Sequence, residues 1–398
     1  MSGLISVADA LDLILSHRPA QAIEEIAIEA AHGRLLARPV IAAVSRPPAN
    51  MSAMDGYAVR LDDVRQPGAR LAVIGDVPAG RPFDGVLGAG QAVRIFTGGE
   101  VPAGADHIVI QEEADRDGDT LICRQGYDAP QFVRRAGLDF SEGETLLEAG
   151  TRLTAYELGL AAAGNAGYVS VYRAPRVGIL ANGNELKAPG SALARGEITN
   201  SNPVALAALI RDWGGEPVDL GIAEDTLDAI AGRIAEARDI DIFLPVGGAS
   251  VGDHDLMRPA FAAEGFQPVF EKIAVRPGKP TWFSQRAGAR VLGLPGNPAS
   301  ALVCAELFLK PLIAGQRHLV QQARLACALK SNGAREHFMR AFFHLDADAS
   351  LIADPAPDQD SSLIKPFVTS AGLIRRMPNA PALEAGALVD VILTRALH

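Results

Sequence analysis

From residue 176 onward, apolar runs alternate with segments in which apolar residues recur at helical spacing. Val177–Ala181, Pro217–Ile222 and Ile240–Val246 are apolar runs whose length and composition predict strands. Helices are predicted between them, the first with Asn202 as its N-cap and the second capped by Asp225. Strand–helix–strand repeats at this spacing indicate βαβ units and a parallel sheet with right-handed crossovers. The pattern therefore predicts a doubly wound α/β domain, which we place at residues 175–314.

The chain on either side of this region carries short, turn-rich β runs. Between Met51 and Arg135, short apolar runs are separated by Gly, Pro and Asp, and Arg116–Asp119 is a hairpin turn signal. These features predict a small β domain at residues 46–136. Beyond Gly315 a C-terminal β module is predicted at residues 315–398, with strands at Leu325–Lys330, Phe338–Leu345, Gly372–Arg375 and Ala387–Leu393.

Composition narrows the kinds of function that fit this layout. The 398 residues exceed what one hydrophobic core organises, 48% of them are hydrophobic, and the formal net charge is -10. Nucleic-acid and membrane-surface binders normally carry a basic excess, so neither class is favoured. No stretch reaches the roughly 20 apolar residues that span a bilayer. Cys123, Cys304 and Cys327 are far apart and lack C-x-x-C spacing. We therefore expect a cytoplasmic protein with reduced thiols.

Three glycine-rich turns follow predicted strands in or near the α/β region. They are Gly247–Asp255, Arg276–Pro280 and Leu294–Ser300. Glycine lets the backbone approach a ligand closely, and helix N-termini present free N–H groups, so such turns at one sheet edge predict an anion-binding cradle. Arg276 and Lys279, in an otherwise acidic chain, are the strongest indication of a phosphate site. Neither the P-loop spacing nor the dinucleotide-binding spacing is present in this sequence.

Several side chains in loops and at strand ends are candidate site residues, each with a structural alternative. Asp55 and Thr97 lie in two small-residue loops, where ordinary turn hydrogen bonding is the simpler explanation. Glu185 follows the first strand of the α/β domain, where ligands gather, although a solvated loop carboxylate fits equally well. Asp241 opens a strand, and it either ends that strand in water or helps bind Mg²⁺ with Glu185 or Asp255, since hard oxygen ligands suit that ion.

Together these segments resemble the molybdopterin molybdenumtransferase family, which includes MoeA and the E domain of gephyrin. The matching stretches occur in the family's order and are Ser52–Ala58, Phe96–Asp106, Val133–Phe140, Asn182–Leu186, Gly247–Asp255, Arg276–Pro280 and Leu294–Ser300. The resemblance implies insertion of molybdate into adenylylated molybdopterin, with loss of AMP and dependence on Mg²⁺. It also implies a homodimer of four-domain subunits, with an elongated discontinuous domain at residues 1–45 and 137–174, an inserted small β domain, an α/β molybdopterin-binding domain and a C-terminal β barrel. Other molybdenum-cofactor biosynthesis proteins are then candidate partners.

The same resemblance implies roles for residues at the matching positions. Asp55 and Thr97 would reach the cleft of a partner subunit, Glu185 and Asp241 would lie near molybdate and metal, and these four with Lys279 form the implied catalytic set. The implied metal ligands are Glu185, Asp241 and Asp255. The implied cofactor-binding residues are Arg134, Asp139, Ser201, Asn202, Gly247, Gly248, Ser250, Gly252, Arg276, Pro295, Gly296, Asn297, Pro298 and Ser300.

The chain departs from the family pattern at several of these positions. Asn184 and Asn200 stand where aspartate is usual, and Arg276 stands where lysine is common. These departures motivate an alternative function, that of a catalytically weak paralogue which binds molybdopterin as a carrier or scaffold. A third hypothesis is an enzyme that acts on another nucleotide-like phosphate, such as an adenylyltransferase or a pyrophosphatase.

Overall fold

The computed structural model describes residues 3–78, 80–247 and 256–396. The chain forms two compact units, an N-terminal unit (Ala22–Tyr172) and a main unit (Met1–Gln21 with Arg173–His398). Among the helices of the described residues, none combines the length and apolar character that a membrane crossing requires. The four domain boundaries given above remain predictions.

The N-terminal unit contains a six-stranded sheet. Its strands, in spatial order, are His107–Ile110, Gly56–Val59, Gln91–Ile95, Arg70–Val77, Thr120–Cys123 and Ala114–Asp117. Neighbours are antiparallel except for the parallel pair formed by Arg70–Val77 and Gln91–Ile95. The hairpin predicted at Arg116–Asp119 is confirmed, since Asp117 pairs with Thr120 across its turn. Tyr57, Leu71 and Leu121 are buried in the core of this sheet.

The two ends of the N-terminal unit pair with each other. Ile23–Ala27 is antiparallel to Tyr168–Tyr172, and Val40–Ile41 is antiparallel to Thr145–Leu147. The helix Ala155–Ala163 begins with a capping box in which Thr154 and Glu157 bond to each other's backbone N–H groups. The chain therefore leaves this part of the unit to form the six-stranded sheet and then returns to it.

The main unit is organised around a second six-stranded sheet. Its spatial order is Glu216–Ala223, Arg176–Asn182, Ile242–Val246, Ala289–Gly293, Trp282–Arg286 and Gln267–Phe270. The first four strands are parallel, and Trp282–Arg286 is antiparallel to both of its neighbours. All three predicted strands of the alternating region are present.

Helices cover both faces of this sheet because its central strands are apolar on both faces. Along one strand, Ile179 packs with Leu206 of helix Asn202–Asp212, whereas Leu180 packs on the other face with Ile230 of helix Leu227–Glu236. Successive strand residues point to opposite faces, so a continuous apolar run requires a layer on each side. Within the described part of the main unit, the remaining α-helices are Val7–Ser16, Met257–Ala263, Pro298–Cys304, Lys310–Ala314 and Pro366–Thr369. The doubly wound α/β architecture is confirmed.

A closed five-stranded barrel follows the sheet. Its strands are Gln321–Leu325, Glu336–Leu345, Leu351–Pro355, Gly372–Arg376 and Leu388–Leu393. The barrel closes through the pairing of Glu336–Leu345 with Gly372–Arg376, and the short strand Val275–Arg276 adds to its side at Glu336. The C-terminal β barrel is confirmed.

One predicted strand of the barrel is wrong in position. The first strand is Gln321–Leu325 rather than Leu325–Lys330, and the strand Leu351–Pro355 was not predicted. Only Ala323 and Leu325 of the first strand are buried, so two exposed glutamines hide its alternation from a search for apolar runs.

Candidate functional site

A cavity of about 610 Å³ lies at the carboxyl ends of the parallel strands Arg176–Asn182 and Ile242–Val246. Ligands of open α/β sheets bind at this edge, because loops and helix N-termini converge there. The described residues that line it include eight from the predicted set, namely Glu185, Ser201, Asn202, Gly247, Pro295, Gly296, Asn297 and Pro298. Three loops that are distant in sequence therefore meet at one cavity, which is called the sheet-edge cavity below.

Asn202 connects two walls of the sheet-edge cavity. Its Nδ2 donates to the carbonyl oxygen of Gly296 at 2.8 Å. Its Oδ1 is buried and has no hydrogen-bond partner among the described residues, and the residue is only 8% exposed. Asn202 was predicted to be the helix N-cap, but the helix begins at Asn202 itself and its N-cap position is Ser201, with no capping side-chain bond. The Asn202 amide is therefore directed to another loop, and its Oδ1 is a buried acceptor without a partner among the described residues, in a residue that lines the cavity.

Two glycines allow the walls of the cavity to approach each other. Gly247 has φ +98°, and a Cβ there would lie 3.0 Å from the carbonyl oxygen of Asn182. A Cβ on Gly296 would lie 3.4 Å from the Cα of Gly247. The positive φ and the tight contact account for glycine at position 247, and the Gly296 backbone lies in close contact with it. The other predicted residues of this loop, Gly248, Ser250, Gly252 and Asp255, lie outside the described residues.

The turn Leu294–Ser300 is fixed to the barrel as well as to Asn202. The Asn297 Nδ2 donates to Ser361 Oγ at 2.9 Å, and the Ala299 N–H donates to the Ser361 carbonyl at 2.9 Å. Ser300 was predicted to bind cofactor, but it is 5% exposed and does not line the cavity. It lies in the first turn of helix Pro298–Cys304, whose residues Ala299 to Cys304 are all buried.

Glu185 is an exposed carboxylate at the mouth of the sheet-edge cavity. It follows the strand Arg176–Asn182, as the sequence predicted. A second carboxylate lies close to its loop, since Asp225 Oδ2 accepts from the Asn184 N–H at 3.2 Å and Asn184 Oδ1 accepts from the Asp225 N–H at 3.4 Å. Asp225 was predicted to cap the following helix, but Thr226 is the N-cap and accepts from the Ala229 N–H. The signal that could have identified Asp225 is its position just after the carboxyl end of a parallel strand.

Asp241 does not belong to this cavity, which corrects its predicted pairing with Glu185. It precedes the strand Ile242–Val246, whose other end reaches the cavity at Val246. Five residues of strand span about 16 Å, so Asp241 lies at the opposite edge of the sheet. There it accepts from Arg173 at 2.8 and 2.9 Å and from the Arg176 N–H at 2.7 Å. Asp241 is therefore a structural ion-pair partner at the amino edge of the sheet.

The two predicted cations Arg276 and Lys279 do not line the same cavity. Pro280 lines the sheet-edge cavity, and exposed Lys279 immediately precedes it without lining it. Arg276 lines a separate cavity on the barrel. Between them, Gly278 is buried with φ +109°, and a Cβ there would lie 2.0 Å from Cys304 Sγ. Thr281 Oγ1 donates to the Gly278 carbonyl at 2.8 Å. The buried glycine separates the two cations to different sides of the loop.

The N-terminal unit brings Asp55 and Thr97 together, although they are 42 residues apart. Asp55 Oδ1 accepts from the Thr97 backbone N–H at 2.7 Å and from Thr97 Oγ1 at 2.8 Å. The backbone bond first, and then the hydroxyl bond, lower the pKa of Asp55 from its ordinary value. The neighbouring Arg94 guanidinium lies over the rings of Tyr57 and Phe96, at 5.1 and 4.9 Å from their centroids.

The other two predicted residues of the N-terminal unit are exposed. Arg134 lies in the strand Val133–Arg134, which pairs with Met51–Ser52. Asp139 forms an ion pair with Arg46, with 3.7 Å between its Oδ2 and the arginine Nε. Both partners of that pair are more than half exposed, so the pair contributes little to stability.

The described part of the chain contains no group of three or more His, Cys, Asp or Glu side chains placed to hold a metal ion. Of the three predicted metal ligands, Asp241 lies at the wrong edge and Asp255 lies outside the described residues. Glu185 remains, with Asp225 held beside the Asn184 backbone in the neighbouring loop.

Comparison with known proteins gives a consistent result over the whole chain. Family models described as the MoeA N-terminal region (domain I and II), a probable molybdopterin binding domain and the MoeA C-terminal region (domain IV) match residues 5–164, 178–315 and 322–394. The chain is similar to the molybdopterin molybdenumtransferase of Nostoc sp. (36% identical over 359 residues; 85% of this chain and 82% of that protein). It is also similar to that of Haemophilus influenzae (33% over 377 residues; 92% and 93%).

A solved structure extends the likeness to the fold. The MoeA protein of Pyrococcus horikoshii superimposes with a TM-score of 0.85 at 30% identity, over 99% of this chain and 100% of that one. Full-length similarity in both sequence and structure, with the cavity-lining turns in place, identifies the family: the chain belongs to the MoeA family of molybdopterin molybdenumtransferases.

Proposed function

We propose that this protein is a molybdopterin molybdenumtransferase, which inserts molybdate into adenylylated molybdopterin and releases AMP. Relatives that carry this enzyme name match more than four-fifths of the chain. The observation that supports the proposal most directly is the sheet-edge cavity, where the loops of Glu185, Asn202 and Gly296 converge.

The chemistry of the cavity wall fits a pterin. A pterin ring carries N–H donors, and the buried Oδ1 of Asn202 is an acceptor with no partner among the described residues. A buried acceptor without a partner is unfavourable, so a ligand donor at this point stabilises the complex. Pro280, Pro295 and Pro298 supply apolar surface around it. The volume of about 610 Å³ lies in the range of small-molecule sites.

The substrates are anionic, and the cavity has a polar lining with one lysine adjoining it. Lys279 adjoins the cavity-lining Pro280, and Ser201 and the Asn297 backbone offer hydrogen-bonding groups. We propose that Lys279 binds the oxyanion of molybdate or of the adenylyl phosphates as a point charge. A preorganised cation of this kind stabilises the negative charge that develops on the departing phosphate.

We propose Mg²⁺ as the metal of this reaction, held by Glu185 with Asp225 nearby. Mg²⁺ is commonly bound through one or two carboxylates together with substrate phosphates, so a complete protein cage is not required. When bound, the ion supplies charge neutralisation to the phosphoanhydride. In this chain Glu185 provides the carboxylate at the cavity mouth, and the Asn184–Asp225 contacts hold its loop against the next strand.

We also propose a homodimer in which Asp55 and Thr97 of one subunit act in the cleft of the other. The Asp55–Thr97 pair fixes an ionised carboxylate in an exposed loop, as a group that acts in trans requires. Subunit complementation tests this proposal. The variants Asp55→Asn and Glu185→Gln should each have strongly reduced activity, and mixed dimers of the two should recover activity because one cleft then has both wild-type residues. Absence of recovery in verified mixed dimers would contradict a shared cleft.

The central experiment is AMP release from adenylylated molybdopterin with molybdate and Mg²⁺ varied independently. Wild-type protein should release AMP only when molybdate is present. Glu185→Gln should lower the rate by about 100-fold, as expected for loss of one preorganised charge. Glu236→Gln, which removes an exposed carboxylate at the end of a helix, is the matched control and should leave the rate unchanged. No release at saturating substrate would refute the proposed enzyme.

The carrier or scaffold alternative makes the opposite prediction in the same assay. Such a protein would bind molybdopterin with normal affinity and release no AMP, and Asn184→Asp with Asn200→Asp would not restore turnover. The three cysteines are free, which supports our further proposal that the protein acts in the cytoplasm, where thiols stay reduced.

A further inference from the structure

A second cavity, of about 730 Å³, lies on the C-terminal barrel and concentrates positive charge. Three cations line it, namely Arg276, Lys330 and Arg376, and Asp354 is the acidic residue among the described residues that line it. The chain as a whole carries a net charge of -10, so this lining is opposite in sign to the rest of the molecule. The barrel cavity shares no lining residue with the sheet-edge cavity.

Arg376 is a buried cation with no anionic partner among the described residues. The residue is 4% exposed, and its guanidinium donates to the carbonyl oxygens of Lys330, at 3.4 Å, and Pro381. Burial lowers the pKa of Arg376 from its ordinary value. A buried charge is strongly unfavourable unless an opposite charge or several hydrogen bonds compensate it. The free side of this guanidinium is therefore suited to an incoming anion.

His337 lies among the same cations. It is 8% exposed and makes no side-chain hydrogen bond within the described residues. Burial first, and then the charges of Arg276, Arg335, Arg340 and Arg376, lower its pKa to about 4. The imidazole is therefore neutral at pH 7, and one ring nitrogen can donate while the other accepts.

Other polar side chains form the frame of the cavity and are already engaged. Arg340 donates to the carbonyl oxygens of Leu363, Asp358 and Asp360, and Gln359 bonds to the backbone of Arg340. Asn332 donates to three backbone carbonyls. These bonds hold the walls in place, and Arg276, Lys330, Arg376 and His337 are the basic residues of the lining.

We infer that the barrel cavity binds a phosphate group or a similar tetrahedral oxyanion, either as the free anion or as the phosphate of a nucleoside monophosphate. A guanidinium presents paired N–H donors that match two oxygens of such a group, and a lysine adds a mobile point charge. Arg276 and Lys330 are exposed and can close on an anion that Arg376 meets from within. This inference stands apart from the proposed function, because it uses a different cavity and would hold for a protein without transferase activity.

Calorimetric titration of the full-length protein tests the inference, with inorganic phosphate and AMP as the two probes at constant ionic strength. Lys330→Gln and Arg276→Gln should each weaken phosphate binding by roughly tenfold, as expected for loss of a charged hydrogen-bond donor. Asp354→Asn should tighten binding, because it removes the acidic group from the lining. Arg324→Gln, an exposed cation of the barrel outside the lining, is the control and should not change the affinity.

The two probes distinguish the sources of the phosphate. Tighter binding of AMP than of phosphate, with both weakened by Lys330→Gln, supports a nucleotide ligand. Equal binding of the two supports a free oxyanion. The exposed thiol of Cys327 lines the same cavity and gives a second readout, since phosphate should slow its modification and an equal concentration of chloride should not. Phosphate affinity that is the same in Lys330→Gln, Arg276→Gln and the control, or no binding of either probe, would overturn the inference.

Discussion

The side-chain amide of Asn202 donates a 2.8 Å hydrogen bond to the carbonyl oxygen of Gly296, 94 residues further along the chain. Asn202 is the first residue of helix Asn202–Asp212, and Gly296 lies in the turn that leads into helix Pro298–Cys304. Both residues line the sheet-edge cavity. One amide thus joins two walls of the cavity and leaves its oxygen buried without a partner among the described residues.

Replacing Asn202 with alanine should weaken both the fold and ligand binding. Loss of the bond to Gly296 should lower the free energy of unfolding by about 1 kcal/mol. Loss of the open Oδ1 should reduce the affinity for molybdopterin, measured by titration alongside urea unfolding. Val204→Ala, at a position 62% exposed on the same helix, is the control. If the two variants behaved alike, Asn202 would have no special role in the cavity.

The hydrogen bonds between Asp55 and Thr97 lead to a prediction about the pKa of Asp55. Bonds to Thr97 lower the pKa of Asp55 in the folded protein, so the pair stabilises the fold at pH values above the pKa that Asp55 has in the unfolded chain. This stabilisation is lost as the pH falls through the folded-state pKa of Asp55. Thr97→Val removes the hydroxyl bond and keeps the backbone bond, so the pKa of Asp55 should rise toward 3.8. Carboxyl NMR titration would show the rise, and Thr145→Val should not produce it. An unchanged Asp55 titration in Thr97→Val would exclude the hydroxyl as a cause.

A side chain at position 278 should clash with Cys304, and this clash can be relieved by a second substitution. Gly278→Ala would place a Cβ 2.0 Å from Cys304 Sγ at a residue with φ +109°. Gly288→Ala is the matched control, since Gly288 also has positive φ, at +79°, but no atom within 4 Å of the added Cβ. We expect thermal unfolding to show Gly278→Ala about 2 kcal/mol less stable than the control, because overpacking adds to the strain.

A second substitution, at Cys304, should relieve the clash that Gly278→Ala creates. Removing Cys304 Sγ by Cys304→Ala should restore part of the stability that Gly278→Ala loses, although Cys304→Ala alone should destabilise through its cavity. Strictly additive losses in the double variant would show that the conflict lies elsewhere in the loop.

Asn184 and Asp225 make a prediction about metal affinity. Their side chains accept from each other's backbone N–H groups, and the neutral amide of Asn184 avoids a second charge beside Asp225. Asn184→Asp would place two carboxylates together, which is unfavourable alone and favourable around a divalent cation. The half-saturating Mg²⁺ concentration in the AMP-release assay should therefore fall. Asn379→Asp, which adds the same charge at an exposed barrel position, should not lower it.

The sequence by itself determined the elements that repeat in a regular pattern. Continuous apolar runs such as Ile242–Val246 can be satisfied only inside a sheet covered on both faces, so the α/β layers follow from the chain itself. Gly247 marks a turn where a Cβ would be strained and crowded, and the place of Gly247 and Gly296 after strands puts both at the carboxyl edge. Glu185 was found by the same rule, because the ends of parallel strands meet at one edge, whereas Asn202 was predicted as a helix cap and its place in the site was implied only by the family resemblance.

The tertiary structure alone decided which of these polar groups share a site. Asp241 and Asp225 both flank strands of one sheet, but strand direction sends the first to the amino edge and the second to the loop of Glu185. Arg276 and Lys279 are three residues apart, yet burial of Gly278 between them directs Arg276 to the barrel cavity and leaves Lys279 beside the sheet-edge cavity. Local sequence fixes periodicity and turns, which depend on neighbours along the chain. Which groups meet in a cavity depends on contacts between residues far apart in sequence, and only folding brings those together.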